Sequence, residues 1–174
     1  ISGGGNSDTI DGGKDADKID AGEGNDTIKV KTDEAEFDTN LAGDESFSGG
    51  AGNDKVVNTA NQNVVFNNFN TDGSIEEIDA NGKKILGNNN ANELNFDGVK
   101  MTYVESVDGG KGPDTITASS VTDNVTYNGG EGNDEQIGQN KKDILNGGDG
   151  KDEISGGGNS DTIDRSEERR VGED

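Results

Sequence analysis

The chain has 174 residues, 25% of them hydrophobic and 4% aromatic, and 37 acidic residues against 15 basic ones leave a formal charge of −22. So few apolar residues argue against an ordinary packed core. The charge excludes nucleic acid and anionic membrane as partners, since both need a positive face, and invites cations instead. The absence of Cys and His removes the usual general base, the thiol nucleophile and the soft metal ligands, and with them zinc, haem and iron–sulfur chemistry.

In chain order, residues 1–29 carry a nine-residue phrase, clearest as Gly3-Gly4-Gly5-Asn6-Ser7-Asp8-Thr9-Ile10-Asp11 and Gly12-Gly13-Lys14-Asp15-Ala16-Asp17-Lys18-Ile19-Asp20. Its Asp residues, Asp8, Asp17 and Asp26, stand nine apart. Residues 30–48 are an acidic, degenerate insertion in which Glu45 and Phe47 keep the phase of Asp54 and Val56. An isolated copy fills 49–57 around Asp54. Residues 58–108 are Asn-rich and read as short β-strands. There Val64-Val65-Phe66 forms one strand, Asn92 and Leu94 stand in the Asp and aliphatic places, and Val99, Met101 and Tyr103 share one strand face. This segment is expected to continue or cap the array, with a small separate β module as the rival reading.

The phrase returns in 109–164, at Asp114 and Asp123 and then at Asp134, Asp143, Asp152 and Asp161 in an unbroken run of nines. The step of eleven from Asp123 to Asp134 places two extra residues near Tyr127-Asn128. Two positions after each Asp comes Ile10, Ile19, Ile28, Val56, Ile116, Val125, Leu145, Ile154 or Ile163, with Gln136 the exception. Residues 165–174 break the pattern and read as a non-native tail. Ile154 to Asp164 repeats Ile1 to Asp11 residue for residue, and the chain reads as a piece of something longer.

Physically the phrase divides in two. The first six residues are expected to form a turn, because adjacent glycines admit positive φ. The last three, polar–aliphatic–polar, make a short strand with one inward side chain. Two units complete a flattened coil of about eighteen residues, and stacked coils pair their strands in parallel. Turns two repeats apart then share an edge, which brings carboxylates together. Two bare carboxylates about 4 Å apart repel by roughly 4 kcal/mol at an effective dielectric near 20. A divalent cation between them reverses the sign, and hard oxygen ligands in flexible geometry suit calcium better than magnesium.

The phrase resembles the glycine–aspartate nonapeptide of the RTX, or haemolysin-type calcium-binding, repeat family, over Gly3 to Lys29, Gly49 to Val57 and Gly109 to Asp164. The resemblance implies an all-β fold, a right-handed parallel β-roll with Ca²⁺ between turns, and secretion. Carried over by position, the metal-ligating carboxylates are Asp8, Asp17, Asp26, Asp54, Asp114, Asp123, Asp134, Asp143, Asp152 and Asp161. The family also uses turn carbonyls, here at Gly3, Gly4, Gly12, Gly13, Gly22, Gly24, Gly129, Gly130, Gly132, Gly147, Gly148, Gly150, Gly156 and Gly157. The best pairs are Asp8 with Asp26, Asp134 with Asp152, and Asp143 with Asp161. Asn6, Asp15 and Asn159 replace the fourth-position Gly, and both residue types tolerate left-handed geometry. The turns 118–122 and 138–142 lack the glycine pattern, and lysines beside Asp143 oppose a cation there.

The function this implies is calcium binding by a roll that folds on meeting the ion, as a non-enzymatic structural module of a large secreted or cell-surface bacterial protein of adhesin or toxin type. The alternative is the non-catalytic, C-terminal export module of a secreted protease, lipase or alginate epimerase. A third reading, a sugar- or ice-binding face on the Asn-rich middle, needs a regular Thr or Asn array that the sequence lacks. An EF-hand does not fit, because the Gly and terminal Glu after Asp15 are misplaced. No apolar run approaches the length of a membrane span.

Overall fold

The computed structural model describes residues 1–13, 17–30, 46–66, 68–70 and 74–165. Lys14, Asp15 and Ala16, most of the acidic insertion including Glu45, and the tail beyond Arg165 lie outside the described residues.

The described chain is all-β, a parallel solenoid of about seven turns with no helix among the described residues. Its strands in chain order are β1 (Ser2–Gly5), β2 (Thr9–Asp11), β3 (Lys18–Glu23), β4 (Thr27–Val30), β5 (Ser46–Ala51), β6 (Lys55–Asn58), β7 (Val64–Val65), β8 (Asn68–Asn70), β9 (Glu77–Leu86), β10 (Glu93–Asn95), β11 (Lys100–Lys111), β12 (Thr115–Thr117), β13 (Thr126–Glu131), β14 (Glu135–Ile137), β15 (Ile144–Asp149), β16 (Glu153–Ser155) and β17 (Thr162–Asp164). They form sheets in the orders β1-β3-β5, β16-β14-β12-β10-β8 and β17-β15-β13-β11-β9-β6-β4-β2, with β7 beside β9. Every pairing is parallel, and each strand lies beside its equivalent one coil away, as the nine-residue period requires. Ser2 faces Asp20 and Thr9 faces Thr27 at one end, and Thr126 faces Ile144 at the other, eighteen residues apart each time.

The middle segment continues the same sheets. Lys55 faces Glu77, which faces Lys100, and Phe69 faces Leu94, which faces Ile116. Register also resumes across residues 31–45, where Thr27 faces Lys55. Asn81 and Gly82, at φ 55° and 72°, bend β9 into a corner. Its first half lies beside β6 and its second beside β7.

Three expectations are corrected. First, the six glycine-turn residues do not all turn. Strands β13 and β15 run straight through the glycine pair, as β3 does through Ala21-Gly22, and only the next three residues (24–26, 132–134, 150–152) turn. Gly22, Gly130 and Gly148 have φ of 106°, 110° and 92° yet remain in the ladder. Long and short strands therefore alternate, as do tight and wide turns.

Second, the two extra residues lie in the wide turn 118–125, not at Tyr127-Asn128. Tyr127 faces Val107 on one side and Leu145 on the other, so it fills the aliphatic place assigned to Val125. Third, Tyr103 does not share the face of Val99 and Met101. It has φ 49° at a register shift in β11 and is 74% exposed, while Val99 and Met101 are buried.

The interior is better filled than composition suggests. Ile28, Val56, Ile78, Ile116 and Leu145 are fully buried in their strands. Through the middle runs an aromatic column of Phe47, Phe66, Phe69, Phe96 and Tyr127, with successive ring centroids 6.2, 5.0, 5.0 and 6.5 Å apart. Such contacts add to the burial of each ring. The buried Tyr127 hydroxyl accepts the Ser119 N–H at 2.9 Å, so its polar tip is satisfied inside the core.

Candidate metal centre

The turns stack as the strands do, and this builds ladders of carboxylates. The Asp8 N–H donates to Asp26 Oδ1 (2.7 Å), the Asp26 N–H to Asp54 Oδ1 (2.8 Å), and the Asp54 N–H to Glu76 Oε2 (2.7 Å). A second ladder runs from the Asn92 N–H to Asp114 Oδ1 (2.7 Å), from Asp114 to Asp134 (2.8 Å) and from Asp134 to Asp152 (2.9 Å). On the wide-turn edge the Asp143 N–H donates to Asp161 Oδ1 (3.0 Å). One carboxylate oxygen of each pair thus holds the neighbouring coil in place.

The other oxygen is left over. Oδ2 of Asp8, Asp17, Asp26, Asp54, Asp114, Asp134 and Asp152, and Oδ1 of Asp143, are buried and receive no hydrogen bond from the protein. An orphaned buried carboxylate oxygen is costly, and one in every coil is a pattern rather than an accident. Most of these carboxylates lean over the glycine that opens their own phrase. A Cβ at Gly3, Gly12, Gly129, Gly147 or Gly156 would lie within 3.0 Å of the carboxylate of Asp8, Asp17, Asp134, Asp152 or Asp161 respectively. A carbonyl from the next coil faces the same spot: Ala21 O at Gly3, Gly147 O at Gly129. The second glycines meet carbonyls of the previous coil. A Cβ at Gly148 would stand 2.2 Å from Gly130 O, and one at Gly150, fourth in the same phrase, 1.5 Å from Gly132 O, so only glycine lets the turns stack this closely. Gly4, Gly13, Gly22, Gly24, Gly130, Gly132, Gly148, Gly150 and Gly157 all have positive φ. Asn6 and Asn159, in place of glycine, adopt φ of 86° and 73°.

Electrostatics follows from this burial. Burial pushes the Asp114 carboxyl up to about 7, opposed by the Asn92 N–H and reinforced by the charges of Asp134 and Asp108. Asp134 and Asp143 are raised for the same first reason, with Asp152 and Asp161 as their charged neighbours. Each such carboxylate is short of positive charge. Among the described residues no three acidic side chains cluster closely enough to ligate one ion by themselves. The donor set is one or two carboxylates with turn carbonyls, all hard oxygens, which fits calcium.

The candidate carboxylates do not all join a ladder. Asp123 is exposed, and its Oδ2 lies 3.7 Å from Lys141 Nζ. The column place beside Asp143 belongs to Val125, whose carbonyl accepts the Ile144 N–H. The two extra turn residues displaced Asp123 from the stack. Asp17 has the orphaned oxygen, but its next-coil counterpart, Glu45, lies outside the described residues.

Other glycines repeat the geometry of the candidates. Gly49, Gly87 and Gly109 form the same cradles at Asp54, Asn92 and Asp114, and Gly50, Gly52, Gly110 and Gly112 have positive φ. Glu76 is a ladder residue outside the sequence-derived set, although Ile78 two residues later is the signal that marks the other ladder positions apart from Asp134.

Coils whose turns converge carboxylates on backbone carbonyls make this a β-solenoid suited to hard cations. The family model of the RTX calcium-binding nonapeptide repeat matches residues 1–28, 41–57 and 128–163, in four copies. The chain therefore carries RTX calcium-binding repeats. No curated protein and no solved structure matches the chain.

Proposed function

We propose that the chain is a non-catalytic module that folds on calcium, within a larger secreted or cell-surface bacterial protein of adhesin or toxin type. The observation that carries this reading is the repeated orphan: a buried carboxylate oxygen without a protein donor in successive coils, with a backbone carbonyl of the neighbouring coil at the same cradle for Asp8, Asp54, Asp114 and Asp134. Asp8, Asp26, Asp54, Asp114, Asp134, Asp143, Asp152 and Asp161 would supply the charge, with carbonyls of the stacked turns completing the oxygen shell. Calcium supplies the positive charge that the carboxylates of facing turns lack. It binds the folded chain alone, so it shifts folding by mass action. Extracellular calcium modules typically bind at about 10⁻⁴–10⁻³ M. Sites of that strength are empty in a cytosol and filled outside, so the chain would pass an export machine extended and fold beyond it.

Circular dichroism and size-exclusion chromatography of the full chain, in chelator and in millimolar calcium, test this. The expected result is a chain that in chelator has lost the strand signal of its flanking coils and is expanded, and that compacts and gains strand signal on adding calcium, with magnesium far less effective. Equal strand content and equal hydrodynamic radius in both conditions would overturn it.

A further inference from the structure

The N-terminal ladder does not end where the repeats end. Asp54 belongs to the last repeat before the Asn-rich segment, and the family match stops at residue 57. Yet the next coil presents a carboxylate in the same place. Glu76 takes the Asp54 N–H on Oε2 at 2.7 Å, as Asp54 takes the Asp26 N–H on Oδ1 at 2.8 Å. The Glu77 N–H donates to Asp54 O (3.1 Å), as the Lys55 N–H donates to Asp26 O (2.9 Å). Ile78 faces Val56, as Val56 faces Ile28. Glu76 is thus the ladder residue of a coil that keeps the repeat's aliphatic but has lost its glycine pair.

The cradle is there as well. Asp54 is 1% exposed, and its Oδ2 receives no hydrogen bond from the protein. A Cβ at Gly49 would lie 2.0 Å from Ser74 O and 2.6 Å from Asp54 Oδ2. At Gly109, inside the C-terminal repeats, the corresponding distances are 2.5 Å to Gly129 O and 2.6 Å to Asp114 Oδ2. A serine carbonyl therefore stands where a glycine carbonyl stands elsewhere. The adjacent ammonium of Lys55 is engaged with Glu77 (2.9 Å) and Asp79 (3.1 Å). The foot of the other ladder is an internal contrast. There Asn92 fills the Asp place, and its Oδ1 already accepts the Asn88 N–H at 2.9 Å. A neutral amide with a satisfied oxygen calls for no ion; the Asp54 carboxylate does.

We propose that Asp54 Oδ2, the Ser74 carbonyl and the Glu76 carboxylate hold a calcium ion that the repeats alone do not complete, at the seam between the N-terminal coils and the middle segment. This rests on the reading of the turns as calcium sites. The ion joins a coil that needs metal to one that holds itself by apolar packing, so the middle segment serves as the base on which the N-terminal coils fold.

The test is the calcium stoichiometry of the full chain, by equilibrium dialysis at saturating calcium, for wild type, Glu76→Gln and Glu76→Asp. The expected result is one calcium fewer for Glu76→Gln and the wild-type number for Glu76→Asp. If the two variants bind the same number, whether both fold or neither does, the side chain contributes no charge to a site and the inference is overturned. A wild type that binds no calcium sinks the underlying reading instead, and that outcome is visible before either variant is compared.

Discussion

The flanking coils and the middle segment share one set of sheets but are held in different ways. In the flanks coils of eighteen residues recur, bury a single large aliphatic in a strand, such as Ile28 or Leu145, and stack buried carboxylates at their turns. In the middle the coils lengthen, with Lys55 facing Glu77 and Glu93 facing Thr115, twenty-two residues apart. The added chain carries Phe66, Phe69, Phe96, Ile75 and Ile85 into the interior. The Asp of the turn gives way to Asn92, and the outer face gains the Lys55–Glu77–Lys100 ion-pair ladder. The difference teaches that the parallel coil is indifferent to its source of stability. Nine-residue units bury little apolar surface against the cost of their own ordering, so on the proposed reading they should lean on a metal, and the longer units should not.

Removing calcium is the largest expected perturbation, and it should divide the chain along this line. Each site held at a hundred times its Kd contributes about 2.7 kcal/mol, or roughly a hundredfold in the open population. Hydrogen exchange followed by mass spectrometry in chelator should therefore rise about a hundredfold or more in 1–30 and 109–164. Residues 64–101 should change by less than about tenfold. A uniform rise along the chain would break the comparison and make the solenoid one cooperative, metal-dependent unit.

The converse lesion is Phe96→Ala. The ring is fully buried and stacks on Phe69 with centroids 5.0 Å apart. Truncating such a ring costs about 3–5 kcal/mol. Chemical denaturation should show this loss in calcium and in chelator alike, while the number of bound calcium ions stays unchanged. A loss confined to calcium-loaded protein would show that the aromatic column serves the metal sites rather than replacing them.

Asp134→Asn should change sign with conditions. The Asn Oδ1 can still accept the Asp114 N–H now held at 2.8 Å, so the ladder is kept and the charge removed. In calcium the variant loses a ligand charge and should unfold more easily, by about 1–3 kcal/mol. In chelator the buried charge is a burden. Burial raises the Asp134 carboxyl above its ordinary value, so its ionised form opposes folding at neutral pH. There the variant should match or exceed wild type in strand signal. Destabilisation by the same amount in both conditions would assign Asp134 a purely hydrogen-bonding role.

Sequence alone reveals the flanking coils because each strand has one inward side chain in fixed phase with its Asp. That period carried the fold class and the ladder carboxylates Asp8, Asp26, Asp54, Asp114, Asp134, Asp143, Asp152 and Asp161. It failed where the period slips. Two residues inserted in the turn 118–125 left Asp123 and Val125 nine apart from Asp114 and Ile116, so the phase looked intact, while Tyr127 took the strand position and Asp123 went to the surface. The aromatic column was invisible because residues 47, 66, 69, 96 and 127 have no common spacing; only coils of unequal length bring them together. Glu76 carries the right phase to Ile78 but lacks the glycine pair, so only one of the repeat's two marks points to it.

The smallest expected effect probes the middle segment's substitute for metal. Burial pushes the Glu77 carboxyl up, but hydrogen bonds from Lys55, Lys100 and Thr102 outweigh it and leave the group below its ordinary value of 4.5. A carboxyl with a depressed folded value stabilises the fold above its unfolded pKa, and that contribution is lost as pH falls through the folded one. The window therefore lies below about pH 4.5. Glu77 is 24% exposed and Lys100 62% exposed, so solvent screening holds the contribution under about 1 kcal/mol. Glu77→Gln should be slightly less stable than wild type near neutrality and should converge with it in acid, read by hydrogen exchange over residues 77–86. High salt should shrink the difference, because the ladder is an ion pair facing water. A gap that persists at pH 3 and in molar salt would mean that Glu77 acts through packing, and that the middle coils rest on their apolar interior alone.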